Sequence, residues 1–240
     1  LGQLGKKIPK SLVKIHGYPI IWYIINILKQ NSFNHFILPV GYKGNLIEKY
    51  FKKNSIFKKY NIEIIKTGQE TSIAERIYRI REKIRSKNFI LLNGDAIFDF
   101  DLKKILNNHE KKKFDITFMG CSAQLNFGIV EKLDNKIVGF ERDVEFNSIK
   151  KKDKKNFIGY VYSGITILNS KLLKINFKNF SNFEKKFYPK IIKNYKSNFE
   201  KINGFWHSID NIKDINNLNE KRNKIKYNRV KKIIKKIKYK

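Results

Sequence analysis

Apolar residues along this chain follow two alternating rhythms. Short continuous runs give way to longer stretches in which apolar positions return every three or four residues. Residues 20–30 follow Pro19, whose missing N–H suits the first turn of a helix, and the pattern predicts a helix over Ile20–Gln30. His35–Val40 is a short apolar run closed by Gly41 and predicts a buried strand. Residues 45–53 place Leu46, Ile47, Tyr50 and Phe51 at helical spacing, and residues 62–66 are short and β-branched. Ser72 predicts an N-cap, with Glu75 three residues on completing a capping box, for a helix carrying Ile73, Ile77, Ile80 and Ile84 on one stripe. Residues 88–93 form another continuous apolar run, the pattern of a strand buried on both faces in a helix-covered parallel sheet.

Strict β/α alternation over roughly the first 110 residues predicts an α/β fold with a doubly wound, mostly parallel sheet. After Phe114 the pattern changes. Residues 115–121, 128–132, 136–141 and 157–168 read as strands of a mixed part, and the lysine-rich insertion 147–156 reads as a solvated loop. Residues 183–194 read as helix and 199–203 as a last short strand. From residue 221 the chain is lysine-rich, with Val230, Ile233, Ile234 and Ile237 on one helical stripe. No apolar run approaches the roughly 20 residues that span a bilayer.

Composition changes this picture little. The net charge of +31 invites a nucleic-acid reading, because lysine and arginine neutralise phosphate. Yet the basic residues are spread along the whole chain, and Lys, Asn, Ile, Phe and Tyr are abundant together, as an AT-rich genome produces; no specific nucleic-acid partner is expected. A single cysteine, Cys121, excludes an intrachain disulfide and fits a reducing, cytoplasmic location. The four histidines show no metal-ligand spacing, which argues against zinc, and no nucleophile elbow, Walker loop or dinucleotide fingerprint occurs.

Four segments carry candidate chemistry. Asn93-Gly94-Asp95 follows directly on a strand, and ligands of open α/β sheets bind outside the carboxyl ends of strands. Asp95 there could hold a hard cation or simply cap a following helix. Gly204 through Asp210 pairs aromatics with an acid; Asp210 could join Asp95 on one ion or cap a helix starting near Ile212, and Trp206 reads as core. Lys10, fixed between Pro9 and the apolar run of Leu12 and Val13, could neutralise phosphate or be an ordinary loop lysine. Asp99-Phe100-Asp101 could hold a nucleotide-sugar diphosphate, as in a metal-dependent glycosyltransferase, or form the start of a helix.

In order, these pieces resemble the sugar-phosphate nucleotidyltransferase family, which includes glucose-1-phosphate cytidylyltransferase, thymidylyltransferase and mannose-1-phosphate guanylyltransferase. Pro9-Lys10-Ser11-Leu12-Val13 is similar to the family's Pro-Lys-Pro-Leu-Val, and residues 16–22 to its step into the first long helix. Gly41-Tyr42-Lys43-Gly44 with Ile47 through Phe51 looks most like the cytidylyltransferase branch. Asn93-Gly94-Asp95, Phe127-Gly128 and the aromatic-to-acid segment ending at Asp210 complete the collinear match, from Ile8 to about Asn219. The resemblance implies a Rossmann-like domain over residues 1–220 and a basic tail or helix over 221–240. It also implies transfer of a nucleotidyl group, most simply from CTP to glucose 1-phosphate, giving a nucleotide sugar and pyrophosphate. Lys10, Asp95 and Asp210 would be catalytic, Asp95 and Asp210 would hold Mg²⁺, and Gly128, Arg142 and Gly164 would contact the sugar phosphate.

The family's first strand and Gly-Thr-Arg loop have no counterpart in residues 1–7, so a truncated chain, inactive by itself, is expected. The family's base-contacting Gly-Gly pair corresponds to Ala74-Glu75, its Glu-Lys-Pro to Glu141-Arg142-Asp143, and its Asn-Gly-Gly to Tyr162-Ser163-Gly164. The rival readings are the glycosyltransferase using Asp99 and Asp101, and a degenerate, non-catalytic basic homologue. The tail allows weak, salt-sensitive association with a membrane surface or ordinary packing on the domain, and a homo-oligomer is compatible with the sequence.

Overall fold

The computed structural model describes residues 2–54, 60–124, 129–141, 145–146, 159–175 and 182–220. Helix α1 (Gly2–Lys7) leads to a 3-10 turn, Lys10–Leu12, and then to the antiparallel pair β1 (Lys14–Ile15) and β2 (Tyr18–Pro19). Helix α2 spans Ile20–Gln30, the bounds its pattern predicts, with Pro19 one position earlier than expected, at the N-cap. Every residue from 20 to 28 is buried, as a helix that is apolar all round must be.

A parallel unit follows: β3 (His35–Val40), α3 (Gly44–Lys53) and β4 (Asn61–Lys66), with β3 and β4 in register from His35 opposite Asn61 to Val40 opposite Lys66. Helix α4 (Ile73–Ile80) has the expected Ser72 N-cap, its Oγ accepting from Glu75 N at 3.2 Å, but not the reciprocal half of the expected capping box, because the Glu75 carboxylate pairs with Arg79. Its stripe stops short of Ile84 because the chain tightens into a 3-10 turn at Arg81–Lys83.

Next come β5 (Asn88–Leu92), β6 (Ala96–Asp99), α5 (Leu102–Lys111), β7 (Ile116–Cys121), β8 (Ala123–Gln124), β9 (Ile129–Leu133), β10 (Lys136–Glu141), β11 (Glu145–Phe146) and β12 (Val161–Asn169). A π turn at Phe183–Phe187 runs into α6 (Tyr188–Asn194), which covers the stretch expected to be helical. Where one strand over 199–203 was expected, two occur, β13 (Ser197–Lys201) and β14 (Phe205–Ser208), before α7 (Ile212–Asn219).

The main sheet has the order β13-β7-β12-β5. It is mixed: β13 runs parallel to β7, and β12 runs antiparallel to both β7 and β5. Alternate residues of its strands feed two cores. Ile90, Leu92, Ile165 and Ile167 pack with α2, while Phe89, Leu91 and Leu168 pack with Phe187 and Ile191 of the α6 region, so helices cover both faces as in a doubly wound α/β fold. The apolar run of β5 predicted burial on both faces, but all five residues are only half-buried. The reason is position: among the described residues β5 pairs with β12 alone, and no ladder joins it to β3. In the doubly wound strand order the first strand stands between two such neighbours. No described helix is long and apolar enough to cross a membrane.

His109 of α5 is 1% exposed, with Nδ1 2.8 Å from Thr117 Oγ1 on β7 and Nε2 without a hydrogen-bond partner among the described residues. Burial holds its pKa below the ordinary histidine value, with Glu110 and Asp115 opposing the shift. A histidine lowered in the folded state leaves the unfolded chain binding more protons, so stability is lost as pH falls through about 6.5. The urea midpoint is therefore expected to fall between about pH 7.5 and 5.5, and more shallowly in His109→Gln. Equal slopes in the two proteins would assign the acid sensitivity to other groups.

Candidate active site

Two acids 115 positions apart in sequence are brought together by one short ladder. Strands β6 and β14 pair antiparallel from Phe205 opposite Asp99 to Ser208 opposite Ala96, and Ile209 N extends the pairing by donating to Asp95 O at 2.8 Å. Asp95, just before β6, and Asp210, just after β14, thus emerge at the same end of the ladder.

Lys10 reaches both. Its Nζ donates to Asp210 Oδ1 at 2.9 Å and lies 3.5 Å from Asp95 Oδ2. The 3-10 turn carrying it is held against the Asn93-Gly94-Asp95 turn, where a Cβ built on Gly94 would lie in ordinary contact with Ser11, at 3.7 Å. Burial disfavours the charged ammonium, but the hydrogen bond and charge of Asp210, followed by the charge of Asp95, outweigh it and raise the Lys10 pKa above its ordinary value. Asp210 is held below the ordinary carboxylate value, first by the Lys10 hydrogen bond, against partial desolvation, and further by Ser208 Oγ donating to its Oδ2 at 3.0 Å.

The helix-cap alternatives do not describe either acid. Asn211 caps α7, accepting from Asp214 N at 3.0 Å while the Asp214 carboxylate accepts from Asn211 N, so Asp210 is left to the site. Asp95 precedes a strand, and the next helix is capped by Asp101, which accepts from Lys104 N at 3.0 Å. That role ties Asp101 to α5 and argues against Asp99 and Asp101 as a diphosphate-holding pair.

Gly164 joins the site through Asn93. The β12 register shifts between Tyr162 and Thr166, and within that irregularity Gly164 adopts φ +72°, its carbonyl accepting from Asn93 N at 2.9 Å. Trp206 contributes more than core packing, since its Nε1 donates to Ser163 O at 2.9 Å and fixes the same stretch of β12. A Cβ at Gly164 would come within 2.7 Å of Asn93 Nδ2, in a left-handed backbone that only glycine adopts freely. Gly164→Ala is expected to cost about 1–3 kcal/mol in denaturant unfolding and to lower activity by displacing Asn93. An unchanged midpoint would show that the loop accommodates a side chain.

Ser208 was not anticipated. Its signal was its place two residues before Asp210, readable only once β14 is known to be a strand. Gly128, Arg142 and the tail 221–240 lie outside the described residues.

Asp95 and Asp210 offer carboxylate oxygens, the donors a hard cation takes. With Lys10 their formal charge is −1, and the side chains of Asp95, Asp210 and Lys10 remain 31%, 62% and 40% exposed, open to water and substrate. Among the described residues no three His, Cys, Asp or Glu side chains converge. One or two carboxylates completed by water and substrate phosphate is the donor set that Mg²⁺ favours.

A family profile described as Nucleotidyl transferase matches residues 1–224. A probable glucose-1-phosphate cytidylyltransferase of Bacillus subtilis is 26% identical over 92% of this chain and 90% of its own length. A D-glycero-α-D-manno-heptose 1-phosphate guanylyltransferase of Aneurinibacillus thermoaerophilus is 28% identical over 59% of the chain and 64% of its own length. In fold, the chain is similar to HddC from Yersinia pseudotuberculosis complexed with GMP-PN, with a TM-score of 0.65 at 20% identity, over 89% of this chain and 90% of that one.

Proposed function

Because the chain belongs to the nucleotidyl transferase family and is an enzyme of the sugar-1-phosphate class, we propose that it joins CTP and glucose 1-phosphate, using Mg²⁺ held by Asp95 and Asp210. The observation that carries the site assignment is that one nitrogen, Lys10 Nζ, lies within 3.5 Å of both carboxylates. The choice of CTP and glucose rests on the cytidylyltransferase relative, which matches nine-tenths of the chain, whereas the guanylyltransferase relative matches less.

In this reading an oxygen of the sugar 1-phosphate attacks the α-phosphorus of the triphosphate. The new P–O bond forms as the bond to the β-phosphate oxygen breaks, and pyrophosphate leaves with the electron pair. The attacking phosphate is already ionised near neutral pH, so no general base is required, and the barrier lies in bringing two anions together. A bound Mg²⁺ would supply positive charge between the phosphates. Lys10 neutralises charge at the α-phosphate, the Asn93 turn and Gly164 shape the floor beside it, and Gly128 and Arg142 hold the sugar phosphate. The enzyme would work in the cytoplasm, with residues 1–220 as its catalytic domain.

Pyrophosphate release measured with CTP, GTP, UTP and dTTP, each against glucose 1-phosphate and mannose 1-phosphate, tests the proposal. CTP with glucose 1-phosphate is expected to give the highest kcat/KM. Preference for another pair would replace the substrate assignment and leave the reaction class standing. Transfer from a nucleotide sugar to an acceptor, without pyrophosphate, would overturn the reaction itself.

A further inference from the structure

Strand β12 breaks its ladder with β7 at the point where the site touches it. Tyr162 pairs with Gly120 and Thr166 with Phe118, so three β12 residues stand opposite the single Met119 of β7. A bulge of this size takes backbone groups out of the ladder, and buried ones need other partners. Ser163, 2% exposed, bridges the break: its Oγ donates to Met119 O at 2.7 Å and accepts from Ile165 N at 3.3 Å. The two ends of the bulge are tied by a second set of hydroxyls. Tyr162 OH lies 2.6 Å from Thr166 Oγ1 and 2.8 Å from Tyr188 OH of α6, and Tyr188 OH lies 3.3 Å from Thr166 Oγ1. Three hydroxyls in a triangle can each donate once and accept once, so the ring satisfies itself. Burial pushes both phenols above the ordinary tyrosine value, so the ring stays neutral and holds shape rather than moving protons.

The bulge is also where the main sheet grips the acids. Among the described residues β6 and β14 form a sheet of their own, with no ladder to the main sheet. Two hydrogen bonds cross from the bulge: Asn93 N donates to Gly164 O and Trp206 Nε1 donates to Ser163 O, each at 2.9 Å. Asn93 lies two residues before Asp95, and Trp206 stands on β14, which ends two residues before Asp210. We propose that Ser163 and Tyr162 are positioning residues for the reaction: their hydroxyls fix the bulge, and the bulge seats the ladder bearing Asp95 and Asp210 against the main sheet. This role rests on the reading of those two acids as the active site. Because both acids ride on one ladder, loosening the seam shifts them together relative to the substrate and leaves their own spacing alone.

Amide and indole hydrogen exchange in the full chain, with neither metal nor substrate, tests this against Ser163→Ala. Asn93 N–H and Trp206 Nε1–H are expected to exchange at least about tenfold faster. Ile209 N–H, bonded to Asp95 O within the ladder, should be unchanged. A residue that only stabilised the fold would speed all three alike; that outcome, or no change at the seam, would overturn the role. Turnover should fall about tenfold or more while Mn²⁺ affinity stays within about twofold, since the acids are displaced as a pair. Normal turnover in Ser163→Ala beside a loss in Asp95→Asn would overturn the positioning role alone. Normal turnover in Asp95→Asn would instead overturn the reading of the site. Tyr162→Phe opens the hydroxyl ring and leaves Ser163 on Met119 O, so it keeps the test decisive if Ser163→Ala fails to fold. The same exchange pattern is expected in it, and a folded Tyr162→Phe with a wild-type seam would count against the role.

Discussion

Asparagine at position 95 or 210 is expected to lower metal-dependent turnover by about 10²–10³-fold or more while leaving the fold intact. The two replacements keep the shape of the side chain and remove one negative charge from a site whose formal charge with Lys10 is −1. A neutral site attracts a dication far less, and an amide oxygen is a weaker donor to a hard ion than a carboxylate. The fold should survive because neither carboxylate closes a structural element. Asp95 contributes its backbone carbonyl to Ile209, which asparagine retains, and α7 is capped by Asn211. Steady-state pyrophosphate release, titration with Mn²⁺ and circular dichroism together separate the possibilities. A folded variant that binds Mn²⁺ and turns over normally would remove that residue from the metal site.

Lys10→Met should produce two effects of opposite sign. Turnover is expected to fall by about 10²-fold or more, because a cation aimed at the α-phosphate acts mainly on charge that develops in the transition state. KM for the sugar phosphate should change much less. Binding of Mn²⁺ without nucleotide should instead tighten. In the structure the Lys10 ammonium stands against both acids, so a dication held by Asp95 and Asp210 would have to displace it. The gain is limited, because Lys10 is 40% and Asp210 62% exposed. Exposed ion pairs are worth about 0.2–1 kcal/mol, which sets a change of up to about fivefold. Unchanged turnover would contradict the phosphate role, and weakened Mn²⁺ binding would show that Lys10 supports the metal site rather than competing for it.

The sequence was most informative where a segment had one possible environment. The unbroken apolar run of α2 permits only burial, and its bounds follow; Ser72 is an N-cap because its hydroxyl has Glu75 N within reach. It was least informative where a strand's neighbours decide. The run 88–93 looks like a strand buried on both faces, yet β5 is half-buried because it pairs on one side only among the described residues. For the site, motif order suggested that Asp95 and Asp210 meet, while the residues alone allowed two helix caps. What brings the acids together is the β6–β14 ladder, and residues 205–208 carried too little apolar periodicity to announce a strand. Ser208 was hidden for the same reason.

The ladder also divides the site into parts of unequal stiffness. Asp95 and Asp210 ride on four paired positions and the added bond from Ile209, so they shift together or not at all. Lys10 rides on a three-residue turn closed by Leu12 N to Pro9 O at 2.9 Å and Val13 N to Lys10 O at 3.0 Å. Opening so small a turn costs far less than opening a ladder, and amide exchange at Leu12 and Val13 should outpace that at Ile97 and Ile209. If Asp95 and Asp210 hold a dication as proposed, the ladder would give it a fixed seat and the small turn an ammonium free to give way, so loading the site would not deform the acids.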